Sequence, residues 1–296
     1  MNRDFYLLAF SGMTDFSFLI IFGVLSMYML SVLGNIILIT VVCIAPHLHT
    51  PMYFFLCNLS VQDILYVSAI LPKLLAIQIT GNHNISFPGC LTQVFMFVFC
   101  LNTDFLLLTS MAYDRYAAIC IPLRYFIIMK FEKCCLLASA CWVISVLNAA
   151  MHTCLISNLM FCNSRSIHHF FCDIKALLRL ACSDITYMYT VIFIEGGLIG
   201  FLPFLMILTS YAFIISAILK IQTSVGRMKT FSNCSSHLTV VLLFCGIPIS
   251  LYMKPESKNS IEQDKILALL YIALVPALNP LVYSLRNREV LKVLLK

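Results

Sequence analysis

Charged residues are scarce in this chain. Asp, Glu, Lys and Arg make up 11% of its 296 residues, while 61% are hydrophobic and the mean hydropathy is +0.96. A soluble domain carries roughly 25% charged residues, so a pair of water-soluble domains is excluded and one polytopic membrane domain is expected. Enzyme signatures are missing too: there is no nucleophile elbow, no phosphate-binding glycine loop and no strong metal-ligand spacing. The chain is therefore not read as an enzyme. The net charge of +6 does not gather into a stripe interleaved with aromatics, which argues against nucleic acid and for basic residues collected in cytoplasmic loops. No small-residue cleavage site follows a short apolar core near the amino terminus, so no removable signal is expected. Internal repeats and paired broken helices, the marks of many transporters, are absent as well.

What is present is a series of seven apolar runs, at about 18–42, 51–80, 90–120, 136–155, 187–219, 236–253 and 266–285. Each is long enough to cross a hydrocarbon core of about 30 Å as a helix. A single all-α membrane domain over 1–296 is expected, a seven-transmembrane helix bundle whose short tail at 286–296 could lie on the bilayer surface as an amphipathic helix. The third run orients the rest. Cys90 and Arg115 stand roughly 37 Å apart along a helix rising about 1.5 Å per residue, so one reaches each face of the bilayer. Arg115, Arg124, Lys130, Lys133, Lys220, Arg227 and Lys229 then share a side on which acids are few. This places the amino terminus outside and the carboxyl terminus in the cytosol. The cysteines on the opposite side suit an oxidising compartment.

Several polar groups stand out against this apolar background. Asp63 and Asp104 fall mid-span, where an ionised carboxylate costs at least about 2.5–3.5 kcal/mol, so each needs a partner. They could be protonated and hydrogen-bonded, or could share a cation. Asp114 and Arg115 form a helix-end pair that is either an interfacial anchor or a switch. Cys90, Cys162, Cys172 and Cys182 face outward, and four cysteines allow three pairings. His168, His169, Cys172 and Asp173 have the composition of a metal site, but a disulfide would consume the thiolate that a metal requires. Glu195, an acid in an otherwise apolar run, either snorkels to the outer headgroups or points into the bundle, where it would prefer a ligand amine or hydroxyl.

Seven motifs occur in order, spread over nearly the whole chain: Gly34–Asn35, PMYFFL at 51–56, LSVQD at 59–63, MAYDRYAAIC at 111–120, Ser210–Tyr211, CSSHLTVV at 234–241 and PALNPLVYSLRN at 276–287. Together they resemble the odorant receptors, which are rhodopsin-like G-protein-coupled receptors, and within them the branch for airborne odorants. The resemblance implies that a small volatile odorant binds in the outer half of the bundle. It also implies coupling to a heterotrimeric stimulatory G protein that raises cyclic AMP, in the plasma membrane of olfactory cilia. Alignment by motif puts Phe97, Val98, Leu101, Asn102, Glu195, Ile199, Pro248, Tyr252 and Ile272 around the ligand. An apolar wall of this kind is also what ordinary core packing looks like. The coupling switch would comprise Asp114, Arg115, Tyr116, Tyr211, His237, Asn279, Pro280 and Tyr283. Asp63, Asp104 and Asn279 would hold a sodium ion, with no other cofactor implied. The family pairing of cysteines implies Cys90 with Cys172 and Cys162 with Cys182, with Cys154 as a competitor.

The chain departs from the family in three features, one of them a short tail with no Ser or Thr after Ser284. Its amino terminus has no Asn-x-Ser/Thr sequon, so glycosylation is expected at Asn84 instead. Where a tyrosine is usual in the sixth helix, Cys245 stands between Phe244 and Gly246. Two rival readings remain at this stage: a transporter or channel, and a non-olfactory receptor of the same fold for a small amine or metabolite.

Overall fold

Helix ends in this protein are set by caps and by proline. In the computed structural model, which describes residues 4–10, 17–162, 165–224, 226–228, 234, 238–242, 244, 260–285, 290 and 293, α1 spans Ser17–Ile44 and α2 spans Pro51–Thr80. Pro51 opens α2 at a position where a missing N–H is harmless, and Gly81 closes it at φ 68°, a left-handed conformation natural to glycine. Then α3, Phe87–Cys120, starts on a Ser86 hydroxyl that accepts from the Gly89 N–H at 3.2 Å. A single turn, Tyr125–Ile128, leads to α4, Phe131–Ser157. The fifth span, α5, covers Thr186–Leu219, and of α6 residues 238–242 and 244 are described and helical. The last, α7, runs through Ser260–Leu269, Leu270–Leu274 and Val275–Leu285. Six of these helices are long and apolar enough to cross a membrane among the described residues, and the architecture is the all-α seven-helix bundle.

The helices outrun the apolar runs. The fourth starts at Phe131 rather than 136, the third at Phe87 rather than 90, and the seventh at Ser260 rather than 266. Hydropathy reports the hydrocarbon layer, whereas backbone hydrogen bonding continues into the headgroups. At 34 residues, α3 is about 50 Å long and lies at the centre, packed on α2, α4 and the inner half of α5. Against α1 lie α2 and α7. There Gly34 permits a close approach, since a Cβ on it would sit 2.9 Å from the ring of Pro280.

Among the described residues two π turns interrupt the regular hydrogen bonding, Gly196–Phe201 in α5 and Leu270–Leu274 in α7. Each ends two residues before a proline, Pro203 and Pro276 respectively. A proline donates no N–H to the preceding turn, and a widened turn is one way for the helix to absorb that loss.

A small three-stranded sheet covers the outer end. β1 (Phe5–Leu7) lies between β2 (Asn84–Ile85) and β3 (Ser166–Ile167), antiparallel to the first and parallel to the second. Its apolar side, with Phe5, Leu7, Ile85 and Ile167, is buried. Phe10 stacks on Phe170 at 5.9 Å, and the buried Lys265 of α7 donates to the carbonyl of Ala9 at 2.8 Å.

Candidate functional site

At the inner end of α3 the Asp114 carboxylate is fully buried and both its oxygens are used. Oδ2 accepts from Arg115 Nη2 at 2.7 Å and Nε at 3.1 Å, and Oδ1 accepts from the Tyr125 hydroxyl at 2.9 Å. The Arg115 side chain keeps 18% of its exposure, so the guanidinium reaches the cytosolic surface while its counter-ion does not. Burial, and then the adjacent Asp114 carboxylate, push the Tyr125 phenol up, so it remains a donor. Tyr125 was not visible as a site residue in the sequence. It follows the helix through a connecting loop, and only the fold brings it back to Asp114. Tyr116 faces Phe213 of α5 with ring centroids at 5.9 Å, and the Tyr211 hydroxyl donates to the Cys234 carbonyl at 3.2 Å. That bond ties α5 to the start of the sixth segment.

Midway along the bundle, Asp63, Asp104 and Asn279 are all buried. Asp63 Oδ2 accepts from Asn279 Nδ2 at 2.9 Å. Asp104 Oδ1 and Asn279 Oδ1 accept from no described residue. Oxygens buried without donors are costly unless something electropositive faces them. Two carboxylates and an amide oxygen are hard donors of the kind that suits a sodium ion, so these residues fit one. Among the described residues no group of three or more His, Cys, Asp or Glu could hold a metal.

The outer half holds a cluster that the sequence reading did not assemble. Glu195, expected there as an unpaired acid, has partners on two other helices. Its Oε1 accepts from Asn102 Nδ2 of α3 at 3.1 Å and from Asn148 Nδ2 of α4, and its Oε2 meets His152 Nε2 of α4. The π turn begins at the next residue, Gly196. Asn148 and His152 are four apart on one helix face. That spacing, with a histidine inside an apolar span, was the signal available in the sequence.

Of the other expected ligand-facing residues, Phe97, Val98 and Ile272 are buried, while Leu101 and Ile199 are half-buried. Phe97 packs on Phe171 of the outer loop at 5.1 Å and on Tyr66 at 6.1 Å. Phe244 packs on Phe105 at 5.0 Å and on Tyr271 at 5.4 Å, which places an aromatic floor beneath that region. Pro248, Tyr252, His237, Cys245 and Gly246, with the side chain of Tyr283, lie outside the described residues.

The outer cysteines form the disulfides Cys90–Cys172, with Cα atoms 5.4 Å apart, and Cys162–Cys182, at 6.0 Å. Cys154 is free and exposed. The first bridge fastens the long outer loop to α3, and the Cys172 N–H adds a bond to Gln93 Oε1 at 3.1 Å. In the same loop Asp173 caps the short helix Ile174–Leu178 through the Ala176 N–H, and His169 lies against the rings of Phe170 and Phe171. These residues therefore have structural partners. Asn84 is exposed on the edge strand β2, where a glycan would meet water.

Comparison with known proteins agrees with this geometry. A family model described as olfactory receptor matches residues 24–296. Human olfactory receptor 1C1 is 44% identical over 294 residues, covering 99% of this chain and 94% of the relative. Olfactory receptor 1 of Rattus norvegicus is 47% identical over 266 residues, covering 90% and 85%. Gorilla olfactory receptor 1E2 is also 47% identical, covering 90% and 84%. These relatives are receptors, not enzymes. With apolar spans, outer disulfides and a buried acid–arginine pair at its inner end, the chain is a multi-pass membrane protein that belongs to the olfactory receptor family.

Proposed function

We propose that the protein detects a small, mostly apolar odorant between the outer halves of its helices and answers by activating a stimulatory G protein that raises cyclic AMP. Its place would be the ciliary membrane of olfactory neurons. The observation that carries the reading is the inner-end arrangement. Arg115 is restrained by a fully buried carboxylate that Tyr125 also holds, and it sits beside the cytosol, where a partner could take it. Buried charge pairs are costly to separate, which gives the bundle two discrete arrangements rather than a continuum. In one, Arg115 is held by Asp114; in the other, the inner end opens and Arg115 helps to dock the G protein. A ligand shifts this balance only by binding one arrangement more tightly than the other.

Around the ligand we place Phe97, Val98, Leu101, Asn102, Glu195, Ile199 and Ile272, with Pro248 and Tyr252 from the sixth helix. Bound sodium would supply positive charge that compensates the two carboxylates. Asp63, Asp104 and Asn279 would hold it, and Asn279 also keeps α7 against α2 through its bond to Asp63. The test is a cyclic AMP assay in cells against a broad odorant panel, with Arg115→Ala as the inert control. The reading fails if Arg115→Ala reaches the surface and still signals normally. Ion flux on odorant addition, without cyclic AMP, would favour a channel instead.

A further inference from the structure

We infer that Glu195 anchors the polar head of the ligand and that this head is a hydrogen-bond donor, an alkylammonium ion above all. Asn102, Asn148 and His152 hold that carboxylate in place. The inference rests on the odorant-receptor reading and narrows it to a ligand class.

An ionised carboxylate is acceptor-only and offers about four lone-pair positions. Three are taken at Glu195: Asn102 and Asn148 donate to Oε1, and His152 Nε2 faces Oε2. Both amides are donors, and among the described residues one position remains on Oε2. The Glu195 side chain keeps 17% of its exposure, while His152 is fully buried. The open position therefore belongs to the member of the pair that a ligand can reach. A ketone, aldehyde or ether has no hydrogen to place there. An alcohol has one, and an ammonium ion brings both a donor and the opposite charge, which makes the stronger bond.

Charge balance then selects between the donors. Facing the pair are Asn102 from α3, Asn148 from α4 and, within the pair, His152 and Glu195. Among the described residues no other charged side chain bonds to either. With a neutral imidazole the cluster carries one uncompensated negative charge inside a lipid-embedded bundle, and a ligand cation would cancel it.

The test uses cells expressing the full receptor, a cyclic AMP readout and three homologous series: primary alkylamines, primary alcohols and aldehydes. Amines should be the most potent and aldehydes the least. Glu195→Gln should weaken amines at least roughly tenfold while changing alcohols little. If Glu195→Gln fails to reach the surface, the unmodified receptor decides alone, and amines no more potent than alcohols overturn the inference. Aldehydes as potent as amines, or responses only to compounds lacking a donor, also overturn it while leaving the odorant-receptor reading intact. Silence toward these series and toward a broad odorant panel defeats both.

Discussion

The side-chain amide of Asn35 in α1 donates to the main-chain carbonyl of Pro276 in α7 at 3.1 Å. In a regular helix that carbonyl would accept from the residue four positions on, which here is Pro280 and has no N–H. One polar side chain thus supplies what the proline removed, and it does so from another helix.

Asn35→Ala should therefore leave a buried carbonyl unserved and lower stability by about 1–3 kcal/mol. A reduced melting temperature of the detergent-purified receptor, with less protein at the cell surface, is the expected result. Gly34→Val should act in the same direction, because its added atoms meet the Pro280 ring, whereas Gly23→Ala has open space and should be silent.

Tyr125→Phe removes one of the bonds that hold Asp114 and leaves the ring in place. A bond worth about 1 kcal/mol moves the restrained–released balance roughly fivefold. Basal cyclic AMP should rise with surface expression unchanged. Equal basal activity in the two proteins would remove Tyr125 from the switch.

Partial proteolysis without reductant should leave peptides containing Cys90 and Cys172 joined, and likewise Cys162 and Cys182. Cys90→Ser should impair delivery to the surface, because the outer loop loses its tether to α3. Cys154→Ser should not, since that thiol is free. Mass spectrometry of the joined peptides distinguishes this pairing from the other two.

Replacing external sodium with choline should raise odorant potency a few-fold if a sodium ion favours the restrained arrangement. Asp104→Asn should remove the dependence by taking away a buried carboxylate. A response indifferent to sodium in both proteins would dismiss the ion.

Much of this molecule could be read in advance because lipid is an unforgiving solvent. Any stretch that spans it must be about 20 residues long and apolar, and the few charges left inside must have partners. Asp63, Asp104, Asp114 and Arg115 stood out for that reason. The partners were harder to see, since Tyr125, Asn148 and His152 matter through which helix faces which, and periodicity within one segment does not report that. His152 also escaped notice because a histidine counts as neutral in a charge tally. The π turns were invisible, as they depend on one extra residue per turn, though Pro203 and Pro276 mark where the regular ladder must give way. The outer sheet was missed because its strands are two or three residues long, too short for alternation to show.

That sheet has a bearing on how the receptor is made. Its central strand precedes α1 in the chain, yet one neighbour is synthesised only after α2 and the other only after α4. Until then Phe5 and Leu7 wait without the strands that flank them, so a segment made before α1 is seated only after α4. A tag or fusion placed ahead of it rides on a segment that must still thread between two later arrivals, and long or bulky additions there should slow maturation more than the same additions at the cytosolic end.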